Sequence, residues 1–186
     1  MLSALVTAWT LLVKLPLSFL ATGISYRPIR RSRAAYALWA DEAGRGGPHH
    51  AALRVREHIS YEPDPWGGVL DYVAAPAWTW ARRRGDCDDF AYLTADALKR
   101  AGYAVWIINY WCWDIRSSHT VTAVKDDAGY RILDQGYLST PYATLPAAAH
   151  AGRPPAAVAA TAVTRYAAGF DLVGRWVAYV SREPEK

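Results

Sequence analysis

The chain has 186 residues, 52% hydrophobic and 20% charged, which suits one domain with a real core and excludes a disordered, collagen-like or coiled-coil sequence. Its net charge of +4 is partly local, in Arg27, Arg30, Arg31 and Arg33 and again in Arg82, Arg83 and Arg84. Two short clusters do not make the basic, aromatic-interleaved face of a nucleic-acid binder, and no nucleic acid is expected as a partner. With only Cys87 and Cys112, disulfides do not frame the fold, although one bridge between the two remains open.

Residues 2–25 (LSALVTAWTLLVKLPLSFLATGIS) are apolar enough to be a membrane-span candidate, interrupted by Lys14 and Pro16. No basic stretch precedes the run, so it reads poorly as a secretory signal. If it inserts, the following arginines favour the cytoplasmic side and keep the rest of the chain there. The other reading is a packing or partner-binding helix, because Leu2, Leu5, Trp9, Leu12 and Val13 share one face. Residues 1–33 are therefore set apart as an anchor or packing segment, and residues 34–186 as the main domain.

Residues 34–44 predict a short helix stopped by the Gly-rich run Arg45–Pro48, and His50–Ile59 a second one broken by Pro63 and Pro65. The clearest helix is Cys87–Ala101, in which Phe90, Leu93, Thr94, Ala97 and Leu98 recur at helical spacing and Gly102 follows. Asp86 stands at its N-cap position, with Asp88 and Asp89 in the first turn, where carboxylates suit the helix dipole. Beyond it the period shortens. Tyr103–Trp113 reads as a buried strand, His119–Lys125 as an alternating half-buried one and Tyr130–Asp134 as a third, with a late strand at Leu172–Val180. A helix followed by an antiparallel meander predicts an α+β domain.

A thiol is a strong nucleophile only as thiolate, which a helix N-terminus or a neighbouring imidazolium stabilises. Cys87 opens the strongest helix, His119 opens a strand, and Asp134 closes the next, where it can orient the imidazole. The acids at 86, 88 and 89 work against a thiolate unless capping bonds, Arg82–Arg84 or a cation offset them. Each residue also has a plainer role: a buried small side chain, a strand histidine, a turn aspartate. A metal site built from Cys87, Cys112, His119 and Asp134 lacks the close ligand pairs of zinc modules.

The runs Arg84–Tyr92 (RGDCDDFAY), Ser118–Val124 (SHTVTAV) and Arg131–Leu138 (RILDQGYL) resemble the Cys, His and Asp motifs of the transglutaminase-like superfamily. The similarity is strongest to its bacterial cysteine proteinases, and Ile59–Asp64 with Trp78 extends it upstream. The resemblance implies a papain/transglutaminase-like core, with the nucleophile at the start of a central helix packed on an antiparallel sheet. It implies Cys87 as nucleophile, His119 as base and acid, and Asp134 as the group orienting His119. The expected chemistry is hydrolysis of a protein or peptide amide through a thioester, with acyl transfer to an amine, or a silent assembly domain, as alternatives. No cofactor is required for that chemistry. Some bacterial relatives bind calcium through acids flanking the nucleophile, and Asp86, Asp88 and Asp89 match those positions. Trp66, Trp78 and Trp80 are candidates for the cleft or a second oxyanion donor.

Overall fold

A computed structural model describes residues 33–64, 73–112, 118–154, 157–165 and 178–179. The chain runs α1 (Arg33–Arg45), α2 (Gly47–His58), β1 (Ser60–Tyr61), α3 (Pro76–Arg82), β2 (Arg84–Gly85), α4 (Cys87–Arg100), β3 (Ala104–Cys112), β4 (His119–Asp126), β5 (Gly129–Asp134), β6 (Tyr137–Leu138), α5 (Leu145–Ala151), β7 (Ala157–Arg165) and β8 (Ala178–Tyr179). The apolar run 2–25, with its anchor and packing alternatives, lies outside the described residues, and so does most of the predicted strand 172–180. Among the described residues, no helix is long and apolar enough to cross a membrane.

Six strands form one antiparallel sheet in the order β6-β5-β4-β3-β7-β8. Alternation along each strand divides its side chains between two faces. On one face Val105, Ile107, Val124 and Leu133 pack against Ala91, Ala95 and Leu98 of α4. On the other, Ile108, Tyr110, Val121, Ala123 and Ile132 pack with Ala148 of α5. Helix α4 therefore has a helix side as well as a sheet side: Phe90, Leu93 and Ala97 meet Tyr36, Trp39, Ala40, Ala43, Val55 and Ile59 of α1, α2 and the residue after it. Burial of an aliphatic side chain such as Leu93 or Leu98, both fully buried, is worth about 1.5–3 kcal/mol. This is the α+β architecture expected from the sequence, with α4 at its centre.

Three local features differ from the sequence reading. Helix α1 stops at the Gly-rich run as expected, but α2 begins at Gly47 rather than His50, so the break is short, and Gly44 lies inside α1, where a Cβ would stand 2.0 Å from the Ala97 carbonyl oxygen. Gly44 is there because α1 and α4 approach too closely for a side chain. Residues 76–82 form a helix with Pro76 in its first turn, which suits proline. Strand β7, unanticipated, occupies the edge of β3 opposite β4.

Two contacts fix α4 against its surroundings. The Thr122 hydroxyl donates to the Ala91 carbonyl at 2.7 Å, tying β4 to the first half of α4. The Ala74 amide donates to Asp89 Oδ1 at 3.0 Å, tying the entry to α3 to the same turn.

Candidate active site

Cys87 is the first residue of α4, so its side chain lies at the positive end of the helix dipole. It is a free cysteine, which closes the alternative of a Cys87–Cys112 bridge. Asp86 occupies the N-cap position with extended backbone, but its side chain caps nothing in the helix. The sequence reading of Asp86 as a capping residue holds for position and fails for bonding.

His119 and Asp134 meet because β4 and β5 are antiparallel, which brings the start of one beside the end of the other. Thr122 pairs with Leu133, and continuing that register sets Asp134 across from Val121, on the same face as His119 one pleat away. The His119 Nε2–H donates to Asp134 Oδ1 at 2.8 Å, and the ring also hydrogen-bonds the Cys87 side chain. With Nε2 turned to the carboxylate, Nδ1 is the nitrogen left for sulfur. Past Asp134, Gln135 and Gly136 both have positive φ, 47° and 81°, and join β5 to β6 as a two-residue I′-type turn. That turn sits tightly on α2, since a Cβ on Gly136 would lie 2.6 Å from Arg56 Cβ and 2.9 Å from the Ala52 carbonyl oxygen. The order Cys87, His119, Asp134 read from the sequence is thus one connected hydrogen-bonded group.

Burial alone would lower the His119 pKa, but the bonds to Asp134 and Cys87, and their negative charge, outweigh it and raise the pKa to about 10. A histidine with a raised folded pKa contributes stability that is complete below its unfolded value of about 6.5 and is lost as pH rises through about 10. The stability difference between wild type and His119→Asn, measured by urea unfolding, is therefore expected to be largest near pH 6 and to shrink steadily toward pH 10. A difference that grew with pH would contradict a protonated His119 in the folded protein.

Beside the thiol lie three carboxylates. Asp86, Asp88 and Asp89 each offer an oxygen within 4.8 Å of the others, and Asp88 and Asp89 are buried. Burial drives the Asp88 carboxyl well above its usual range; Asp86 adds to this by charge and hydrogen bonding, and Asp89 and Cys87 by charge. Asp89 is raised to about 7 by burial and by Asp86, against the Ala74 amide, Thr79 and Arg82, which favour its charged form. Oδ1 of Asp86 and Oδ1 of Asp88 are buried without a hydrogen-bond partner. Converging hard oxygen donors with unsatisfied lone pairs suit a calcium-sized cation. Arg82 and Arg84 spend much of their charge elsewhere: Glu62 pairs with Arg82 at 3.6 Å and with Arg84 at 3.0 Å.

Of the tryptophans singled out from sequence, Trp80 packs among Tyr36, Trp39 and His58, stacked on the His58 ring at 5.3 Å. Its indole nitrogen is buried with no hydrogen-bond partner. Trp78 is partly buried on the same helix, and Trp66 lies outside the described residues. Tyr61, which the sequence reading included only within the run Ile59–Asp64 and gave no role, stands beside the start of α4; a two-residue strand carries no periodicity by which to assign one.

The family model described as a transglutaminase-like domain matches residues 17–145. Among solved structures, Legionella pneumophila LapG superposes with a TM-score of 0.51 at 20% identity, covering 89% of this chain and 87% of that one. Its calcium-bound form gives 0.52 at 21% identity over 90% and 89%, and its EGTA-treated form 0.51 at 18% over 92% and 87%. At such identities the likeness establishes the fold. No curated protein matches the sequence.

Proposed function

The chain belongs to the transglutaminase-like family, and from that membership and the geometry of its site we propose that it is a cysteine peptidase acting on a protein or peptide amide. The observation that carries the reading is His119 bonded on both sides, to Asp134 and to the thiol at the start of α4. In this reading the Cys87 thiolate attacks the amide carbonyl carbon, and the tetrahedral oxyanion is met by the Cys87 backbone N–H. The His119 imidazolium then gives its proton to the departing amine as the C–N bond breaks, leaving a thioester. Neutral His119 takes a proton from water, whose oxygen attacks the thioester, and the acid leaves as the Cys87 thiolate and His119 imidazolium are restored. Asp134 holds the ring in place and compensates the imidazolium.

The test is an assay with denatured casein, read for new N-termini by mass spectrometry, in wild type and Cys87→Ala. Cys87-dependent new N-termini support hydrolysis. Incorporation of added methylamine at glutamine side chains without cleavage would replace it with acyl transfer, and neither product would leave the assembly alternative.

Calcium belongs to the same proposal. Asp86 and Asp88, with Asp89 behind them, are the residues that would hold it, and its positive charge would offset the carboxylate field around the thiol. LapG has been obtained calcium-bound. At about 100 times its Kd, calcium is expected to add about 2.7 kcal/mol, which for a chain of this size raises Tm by roughly 5–10 °C over EDTA. Asp88→Asn is expected to erase most of that shift. An unchanged Tm in wild type across millimolar calcium would remove the metal from the proposal.

A further inference from the structure

Tyr61 belongs to a strand of only two residues, yet it is held firmly. The Ser60 amide donates to the Arg83 carbonyl and the Glu62 amide to the Gly85 carbonyl, both at 2.9 Å, and the Glu62 carboxylate accepts from Arg84 at 3.0 Å. The register pairs Tyr61 directly with Gly85, two residues before the thiol. Directly paired residues on neighbouring strands project to the same face. At Gly85 that direction leads to α4: a Cβ would meet Asp89 Cβ and Oδ2 at 2.4 Å. Tyr61 therefore projects toward the first turn of the nucleophile helix.

It is not buried there. Tyr61 is 55% exposed, one of few large hydrophobic side chains left so open among the described residues. Tyr137, another, has the Arg56 guanidinium over its ring at 5.1 Å. Partial burial raises the Tyr61 hydroxyl pKa, and the negative charges of Cys87, Asp86, Asp64 and Asp88 raise it further, which places the ring in the electrostatic neighbourhood of the thiol. Half of an aromatic ring is thus kept in water beside a nucleophile, on a strand clamped by two backbone hydrogen bonds and an ion pair. The flank it occupies is also informative. His119 comes from the six-stranded sheet, whereas Tyr61 comes from the separate β1–β2 pair. The departing amine must lie at His119, which protonates it, so the acyl portion of a substrate extends away from His119 across the start of α4.

We propose that the Tyr61 ring is a wall of the substrate cleft that contacts the acyl-side residues of a peptide and favours apolar side chains there. Rigid aromatic rings with one face open are effective recognition elements, since they offer area with few torsions to freeze. The inference rests on the cysteine-peptidase reading, and its test separates the two.

The full chain, with calcium present, is labelled at Cys87 by two probes: iodoacetamide, which has no acyl-side residue, and a tri-alanyl chloromethyl ketone, which has three. Tyr61→Ala is expected to slow the peptidyl probe on the order of 10-fold, the scale of losing a pocket contact, with the iodoacetamide rate changed by less than about twofold. Tyr61→Phe, which keeps the ring, is expected to label like wild type with both probes. An unchanged peptidyl rate in Tyr61→Ala overturns the inference, and so does an equal fall for both probes, which would mark Tyr61 as support for the thiol itself. If His119→Ala leaves the iodoacetamide rate of the wild-type chain untouched, the peptidase reading fails first and the cleft wall with it.

Discussion

At pH 6.5, His119→Ala is expected to slow iodoacetamide alkylation of Cys87 on the order of 100-fold. A thiol with no imidazolium partner holds only about 1% thiolate two pH units below its resting value. On the peptidase reading, turnover of an amide substrate suffers more, because there the same residue supplies the proton to the leaving group. General acid–base catalysis contributes up to about 10⁴-fold, so kcat should fall by roughly that factor, equivalent to about 5 kcal/mol of transition-state stabilisation. Asp134→Asn belongs between the two proteins: the ring keeps a neighbour but loses the carboxylate that accepts from Nε2 at 2.8 Å. Alkylation by pulse labelling and mass spectrometry measures all three. A His119→Ala rate equal to wild type would mean that the hydrogen bond between ring and sulfur does not activate the thiol.

The second large effect is expected far from the thiol and on stability alone. Gly44→Val places a branched side chain where even a Cβ lies 2.0 Å from the Ala97 carbonyl oxygen and 3.0 Å from Ala101 Cβ. Backbone cannot swing aside as a side chain does, so α1 must lift from α4 and open the cluster of Tyr36, Trp39, Phe90 and Leu93. Overpacking of this kind costs about 1–3 kcal/mol or more, against less than 1 kcal/mol gained in helix propensity. Tm should drop by roughly 5–10 °C for a chain of this length. Because Ala97 and Ala101 lie at the opposite end of α4 from Cys87, the molecules that remain folded should alkylate at the wild-type rate. His119→Ala and Gly44→Val are therefore expected to separate chemistry from stability, and scanning calorimetry beside the labelling assay shows whether they do.

The sequence was informative in proportion to how local the signal was. Cys87, His119 and Asp134 were legible because each sits at an end of a strongly patterned element, and their order and spacing resemble a known set. The boundaries of α4, β3, β4 and β5 followed from periodicity within a residue or two. Gly44 was placed within the first helix, but the reason for a glycine there was not legible: only the partner helix shows why no side chain fits. Strand β7 (AVAATAVTR) was missed because four of its nine residues are alanine, whose strand preference is weak; its identity comes from the free edge of β3. The carboxylate cluster was visible in the chain as three nearby acids, but Asp86 looked like a cap. Its side chain makes no capping bond and hydrogen-bonds the Asp88 side chain instead, which spacing does not specify.

On the cysteine-peptidase reading, the order of Cys87, His119 and Asp134 along the chain has a consequence for biosynthesis. Cys87 leaves the ribosome first, His119 later and Asp134 last, a span on the order of seconds at ordinary rates of translation. Until β4 and β5 have emerged and paired, the nascent thiol has no base and no carboxylate behind that base. The growing chain is thus chemically quiet toward its own unfolded segments and its neighbours on the same message. On that reading, reactivity switches on only when the sheet packs against α4.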